Sequence, residues 1–245
     1  MAGALSGKNK SISRERLNDI SSAVGHATGG HGVTPAAAVE ACPRQFPWRT
    51  GVLIAGGGLI HVLPGVAEYL IYNRSAILSG EIWRLITGHW VHYSSSHLAY
   101  NLVVLATVSA IIELQESHRL FLLYTVSALM IGISLLVFRP DLYYFAGASG
   151  IATAAVAYCA LSGLSTSGLW RGVCLTVLVL LVGKISLELL RPGSSLVGVS
   201  GDFVIVPLSH AVGAISGLLM FFWWRWRDTK GRGSALNQSS QHHPS

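Results

Sequence analysis

The chain has 245 residues, of which 51% are hydrophobic and only 11% charged, with a formal net charge of +6. Soluble domains carry about 25% charged residues, so this balance, with a mean hydropathy of +0.51, excludes a water-soluble globule and points to an integral membrane protein. Topology and anionic headgroups account for the excess of Lys and Arg, and no interleaving of aromatic and basic residues suggests a nucleic-acid partner.

Residues 1–46 are rich in Gly, Ala, Ser and His and hold no apolar stripe long enough to fold alone, so a disordered tail is expected. No apolar h-region closely follows the first basic residues, and a cleaved signal peptide is not expected. A membrane domain over 47–226 follows, with apolar runs at 51–71, 97–114, 120–138, 149–164, 169–190 and 203–224. Most approach the roughly 20 residues that a spanning helix needs. Lipid cannot hydrogen-bond a backbone, and the runs lack the two-residue alternation of barrel strands, so helices remain. The predicted fold is an all-α membrane protein, a bundle of six transmembrane helices, ending in a polar, low-complexity tail over 227–245 that is expected to be disordered. Cys42, Cys159 and Cys174 show no metal spacing and read as buried small residues or spectators.

Six crossings place both ends on one side. Lys8, Lys10, Arg14, Arg16, Arg44 and Arg49 precede the first run, and Arg225, Arg227, Lys230 and Arg232 follow the last. Arg119 and Arg171 fall in loops on that same side, whereas Arg74, Arg84, Arg139 and Arg191 fall opposite. Both termini are therefore expected in the cytoplasm, the membrane being taken as a bacterial inner membrane.

Polar side chains inside these runs are costly and each asks for a reason. In the first run His61 and Glu68 stand seven apart, on one helical face, with Pro64 between them. In the fifth, Lys184 and Glu188 are four apart and can pair. Structural pairing is the expectation for both sets, because nothing near them in sequence resembles a nucleophile. The second, fourth and sixth runs differ. Residues 149–164 make a helix about 24 Å long, shorter than the hydrocarbon core, so a helix whose inner end reaches the cytoplasmic interface starts with Ser149 submerged. His210 lies seven residues into the sixth run, roughly 10 Å down. His97 enters at the top of the second run, with Asn101 one turn deeper on the same face. Four polar groups from three helices thus converge in the outer third.

That set suits acyl transfer. A serine hydroxyl needs a base, and histidine serves near neutral pH, giving Ser149 as nucleophile and His210 as base. His97, Asn101 and the backbone N–H of Ser149 are candidate donors to the developing oxyanion. Gly147 and Gly150 free the turn ahead of the helix and let a substrate backbone approach. Gly213 and Gly217 form a GxxxG face beneath His210 that suits the small residues Ala152, Ala154, Ala155 and Ala157 of the fourth run.

WRLITGHWVHYSSSHLAYN from Trp83, GASG from Gly147 and HAVGAISG from His210 resemble the rhomboid intramembrane serine proteases, in order and in topology. The resemblance covers roughly residues 81–224. It implies Ser149 as nucleophile, His210 as general base and His97 with Asn101 on the oxyanion side. It also implies that Trp83, Arg84 and His92 belong to a membrane-associated outer loop and that Glu113 is structural. The short six-helix form and WRLITGHWVH are similar to the rhombosortase branch, which implies processing of C-terminal glycine-rich sorting tails. Thr153 stands where many members have a tyrosine packed on the histidine, which leaves open what holds His210. Ser209 and Ile205 replace small residues often found ahead of it.

Other readings fare less well. A second GxSG, at Gly198, Val199, Ser200 and Gly201, precedes Asp202 and reads as a solvated turn. The GxSxG elbow of α/β-hydrolases is absent around either serine. His89 and His92 are expected at the membrane interface. No carboxylate or HExxH pattern accompanies the histidines, so no metal or cofactor is expected. The expected activity is endoproteolysis of transmembrane or C-terminal membrane-tail segments near the outer face, with a membrane-protein substrate and the bilayer as partners. The alternative is a non-catalytic binder of transmembrane helices, or a protein passing a solute through the same cavity.

Overall fold

A computed structural model describes residues 46–191 and 206–241, with side chains to residue 231. Residues 1–45 of the tail expected at 1–46, and the Gly198–Gly201 repeat with Ile205, lie outside the described residues. In chain order the elements are α1 (Trp48–Val62), α2 (Val66–Leu70), β1 (Tyr72–Asn73), α3 (Arg74–Leu78), α4 (Arg84–Thr87), α5 (Ser95–Glu116), α6 (Leu120–Phe138), β2 (Tyr144–Phe145), α7 (Ser149–Gly163), α8 (Gly168–Leu190) and α9 (Pro207–Gln241). Short 3-10 turns occupy Gly88–Trp90 and Ser117–Arg119.

Among the described residues three stretches are long and apolar enough to cross a membrane: Ser95–Phe138, which is interrupted by the Ser117–Arg119 turn, Gly168–Leu190 and Pro207–Gly231. Ser149–Gly163 is a shorter apolar helix. Together with the apolar composition, this describes an integral membrane protein built of α-helices.

The first apolar run is not one helix. Pro64 lacks an N–H, and Gly65 takes the left-handed φ of +76°, so α1 stops at Val62 and the chain restarts in α2. His61 and Glu68 consequently do not share a helical face. His61 Nε2 meets Ser95 Oγ at 3.1 Å, while the Glu68 carbonyl accepts from Arg84. At the other end α9 continues through residues 227–241, where the sequence suggested a disordered tail.

The segment between α1 and α5 folds into a compact cap. Arg84 is buried, and its guanidinium donates to the carbonyls of Glu68 at 2.8 Å and Ile71 at 2.9 Å and to Glu81 Oε2 at 2.6 Å. These charge-assisted bonds satisfy backbone acceptors that lipid would leave bare. Antiparallel pairing of Tyr72 with Phe145 and Asn73 with Tyr144 ties the cap to the approach to α7.

The core forms around α7. Ile151, Ala152, Ala154, Ala155, Ala157, Tyr158 and Ala160 are all buried, so this helix is enclosed on nearly every side. Small side chains permit that enclosure. A Cβ on Gly213 would run into the Gly150 carbonyl, and one on Gly217 into the Ala154 carbonyl, so the glycine face of α9 sets the two backbones in direct contact. Helix α8 is the opposite case: Leu175, Val179, Leu180, Val182 and Leu187 are exposed, as a lipid-facing helix requires, and only Cys174 and Glu188 are buried. On the side of Arg119, that guanidinium pairs with Glu116 at 2.9 Å and Asp228 at 2.7 Å. Glu113, expected to be structural, caps α1 by accepting from the backbone N–H of Arg49 and Thr50 and from the Thr50 hydroxyl.

Candidate active site

Gly147 makes the turn into α7. Its φ of +128° lies in the region that favours glycine, and a Cβ would stand 2.7 Å from His97 Cε1. The turn is held from the cap. His92 Nδ1–H donates to the Trp90 carbonyl at 3.2 Å, which leaves Nε2 to accept the Ala148 N–H at 3.5 Å. Its ring packs edge-on against His97, with centroids 5.2 Å apart. Burial, with the neighbouring His97 adding to it, pulls the His92 imidazole down to about 4, so the ring is neutral and able to accept.

Ser149 opens α7, and its Oγ lies 2.9 Å from Nε2 of His210 in the first turn of α9. The contact follows from the glycine face below it: Gly150 also packs here, since a Cβ would meet Ile131 Cδ1 at 2.8 Å and the Ser209 carbonyl at 2.9 Å. Buried Ser209 donates to the Val206 carbonyl at 2.8 Å and so helps open the first turn of α9. Asn101 is buried on α5, and its Nδ2 has no hydrogen-bond partner among the described residues. An orphaned buried amide donor is uncommon and leaves the group able to donate to a water or to a bound oxygen. The fold therefore brings Ser149 and His210 into hydrogen-bond contact, sets His97 against Gly147, and leaves Asn101 with a donor to offer.

What holds His210 was open in the sequence. Thr153 does not, because its hydroxyl is spent on the Ser149 carbonyl at 2.8 Å. The holder is Glu188, whose Oε2 lies 2.6 Å from His210 Nδ1. Its other oxygen, Oε1, accepts from Lys184 Nζ at 2.6 Å, and Nζ also stands 3.1 Å from Nδ1. The Lys184–Glu188 pair is thus real, but it is not a bystander; the nucleophile that sequence proximity failed to supply comes from another helix. The signal was present in the depth argument, since Glu188 sits near the outer end of the fifth run, where His210 and Ser149 were already placed.

His89 and His92, expected at the membrane interface, are both buried within the protein. His89 Nε2 contacts the Ala128 carbonyl at 3.1 Å, its ring meets Phe145 edge-on, and burial pulls it down to about 4. Among the described residues no three His, Cys, Asp or Glu side chains are grouped to hold a metal ion.

A helical membrane protein with a Ser–His contact at the head of a small-residue helix is the class these features define. A model of the rhomboid domain matches residues 79–227, and the chain belongs to the rhomboid family. It is 32% identical over 158 residues to rhomboid protease GlpG of Serratia proteamaculans (strain 568), an alignment covering 62% of this chain and 50% of that protein. It is 38% identical over 79 residues to rhomboid protease GluP of Bacillus subtilis (strain 168), covering 32% of this chain and 15% of that protein. The chain spans half the length, or less, of these curated relatives.

Proposed function

We propose that the protein is an intramembrane serine endopeptidase that cuts transmembrane or C-terminal membrane-tail segments near the outer face, using Ser149 and His210 as a dyad. The observation that carries this reading is the 2.9 Å contact between Ser149 Oγ and His210 Nε2. The orphaned Asn101 amide and the names of the two relatives support it.

Ser149 Oγ attacks the scissile carbonyl carbon while its proton passes to His210 Nε2. Negative charge on the carbonyl oxygen is met by Asn101 Nδ2, by His97 and by the backbone N–H at the head of α7, at the positive end of the helix. The tetrahedral intermediate collapses as the C–N bond breaks and Nε2–H protonates the leaving nitrogen. Water then attacks the acyl-enzyme, gives a proton to Nε2, and the serine is regenerated. Gly147 and Gly150 keep the backbone at the helix head close enough for a substrate strand to reach. A helical substrate hides its carbonyls in i to i+4 bonds, so segments weakened by Gly or Pro are the preferred ones, which accords with the rhombosortase-like motif and a glycine-rich sorting tail.

In this reading α1, α5, α6, α7, α8 and α9 are six crossings of a bacterial inner membrane, and both termini are cytoplasmic. The membrane domain spans 47–226, and residues 1–46 form a cytoplasmic tail. The rival, a non-catalytic helix binder, has no use for a serine hydroxyl in contact with an imidazole. A serine-reactive fluorophosphonate applied to the detergent-solubilised protein decides between them. Labelling that disappears in Ser149→Ala and His210→Ala is the expected result. Labelling that survives both, or that follows Ser200, refutes the assignment.

A further inference from the structure

Helix α8 turns its apolar side chains outward and its carboxylate inward. Glu188 is 2% exposed on a helix whose Leu and Val residues are largely bare. Burying a carboxylate is unfavourable unless both oxygens are satisfied, and here each has one short partner: Lys184 on Oε1 and His210 Nδ1 on Oε2, both at 2.6 Å. From this geometry we infer that Glu188 is a positioning residue for His210, and that Lys184 fixes which way the carboxylate is used. The inference rests on the dyad reading above and extends it.

The tautomer follows from donor and acceptor counting. An ionised carboxylate only accepts, so an oxygen 2.6 Å from a ring nitrogen requires that nitrogen to carry the proton. Nδ1 is therefore N–H. In the base form of the ring the lone pair is then on Nε2, the atom that faces Ser149 Oγ, and the serine hydroxyl donates to it. This is the arrangement a general base needs before attack. When Nε2 takes the serine proton, Glu188 stays ionised and faces the imidazolium; no proton leaves Nδ1. Lys184 Nζ cannot donate to Nδ1 across their 3.1 Å separation, because Nδ1 already bears hydrogen. Its hydrogen bond goes to Oε1, which balances the buried charge and holds the other oxygen toward the ring. Thr153, lacking an aromatic face, leaves this lateral support to α8.

The consequence is specific to an isosteric change. In Glu188→Gln, Lys184 still demands an acceptor and takes the amide oxygen, which turns the NH2 toward Nδ1. Nδ1 must then accept, the ring proton moves to Nε2, and the serine loses its base although nothing has changed shape. Removing the lysine as well frees the amide to rotate its oxygen toward Nδ1.

The test measures fluorophosphonate labelling kinetics on purified full-length protein, separating the maximal labelling rate from the half-saturating probe concentration, with thermal unfolding recorded in parallel. The expected result is that Glu188→Gln lowers the maximal rate on the order of 10²-fold, with half-saturation and unfolding unchanged. Lys184→Met combined with Glu188→Gln recovers a substantial part of that rate. Proton NMR of the wild type should show a low-field imidazole N–H resonance that is absent in His210→Ala and in Glu188→Gln. A Glu188→Gln protein that labels at the wild-type rate overturns the inference, as does a rate loss that tracks lost folded protein and is not relieved by the second substitution. A wild-type protein that labels nowhere, or at Ser200, sinks the dyad reading and this inference with it; normal labelling of both wild type and Glu188→Gln sinks only this one.

Discussion

Replacing Asn101 by leucine separates catalysis from stability, because the two should move in opposite directions. Nδ2 of Asn101 is buried without a partner among the described residues. Leaving a buried donor unmade costs about 1–3 kcal/mol, and substituting an apolar group of similar shape recovers much of it. Asn101→Leu is therefore expected to unfold no more easily than the wild type, with a gain of about 1 kcal/mol. If Nδ2 is a donor to the oxyanion, its loss removes about 10²–10³ in turnover, or about 3–4 kcal/mol of transition-state stabilisation. Ground-state binding of the substrate should hardly change, since the donor acts on charge that develops only during attack. The assay is cleavage of a Gly-containing transmembrane reporter in proteoliposomes at saturating and limiting substrate, alongside denaturant titration of the same preparation. Turnover within about threefold of wild type would refute the assignment of Asn101 to the oxyanion. So would a loss of turnover matched by a loss of folded protein.

Two further outcomes follow from the packing and the buried cap. Gly217→Leu places side-chain atoms where the Ala154 carbonyl now lies, so α7 and α9 must separate; a stability loss of about 3 kcal/mol or more is expected, and with it loss of fluorophosphonate labelling. Gly231→Leu on the same helix, with nothing within 4 Å of its Cβ position, should leave both unchanged. Acid should destabilise the cap: burial pulls His89 from 6.5 to about 4, so between those values the unfolded chain takes up a proton that the folded ring refuses. Stability then falls with decreasing pH by about 1.4 kcal/mol per unit for this group, reaching about 3 kcal/mol near pH 4. His92 in the same cap adds a slope of the same sign, so denaturation midpoints from pH 7 to 4 should fall less steeply in His89→Gln and flatten only when His92 is replaced as well. An unaltered slope in His89→Gln would contradict the reasoning.

Composition and run length fixed the medium and the positions of most helices, because lipid leaves the backbone few solutions and apolar length is written directly in the chain. The runs at 97–114, 120–138, 149–164 and 169–190 match α5 to α8 within about two residues at each end, within ordinary variation in helix boundaries. The contact of Ser149 with His210 was also legible, since depth can be counted along a helix at a constant rise and the small-residue faces of α7 and α9 announce that they meet. The rotation of α8 and its cross-helix neighbours were not legible. Spacing showed that Lys184 and Glu188 could pair, but the azimuth of α8, which turns Glu188 onto His210, depends on how its whole surface divides between protein and lipid. The break at Pro64 and Gly65 is written locally in those two residues. The burial of His89 and His92 and the clasp of Arg84 were decided by tertiary structure, because most of their hydrogen-bond partners are backbone groups and any residue can supply one of those.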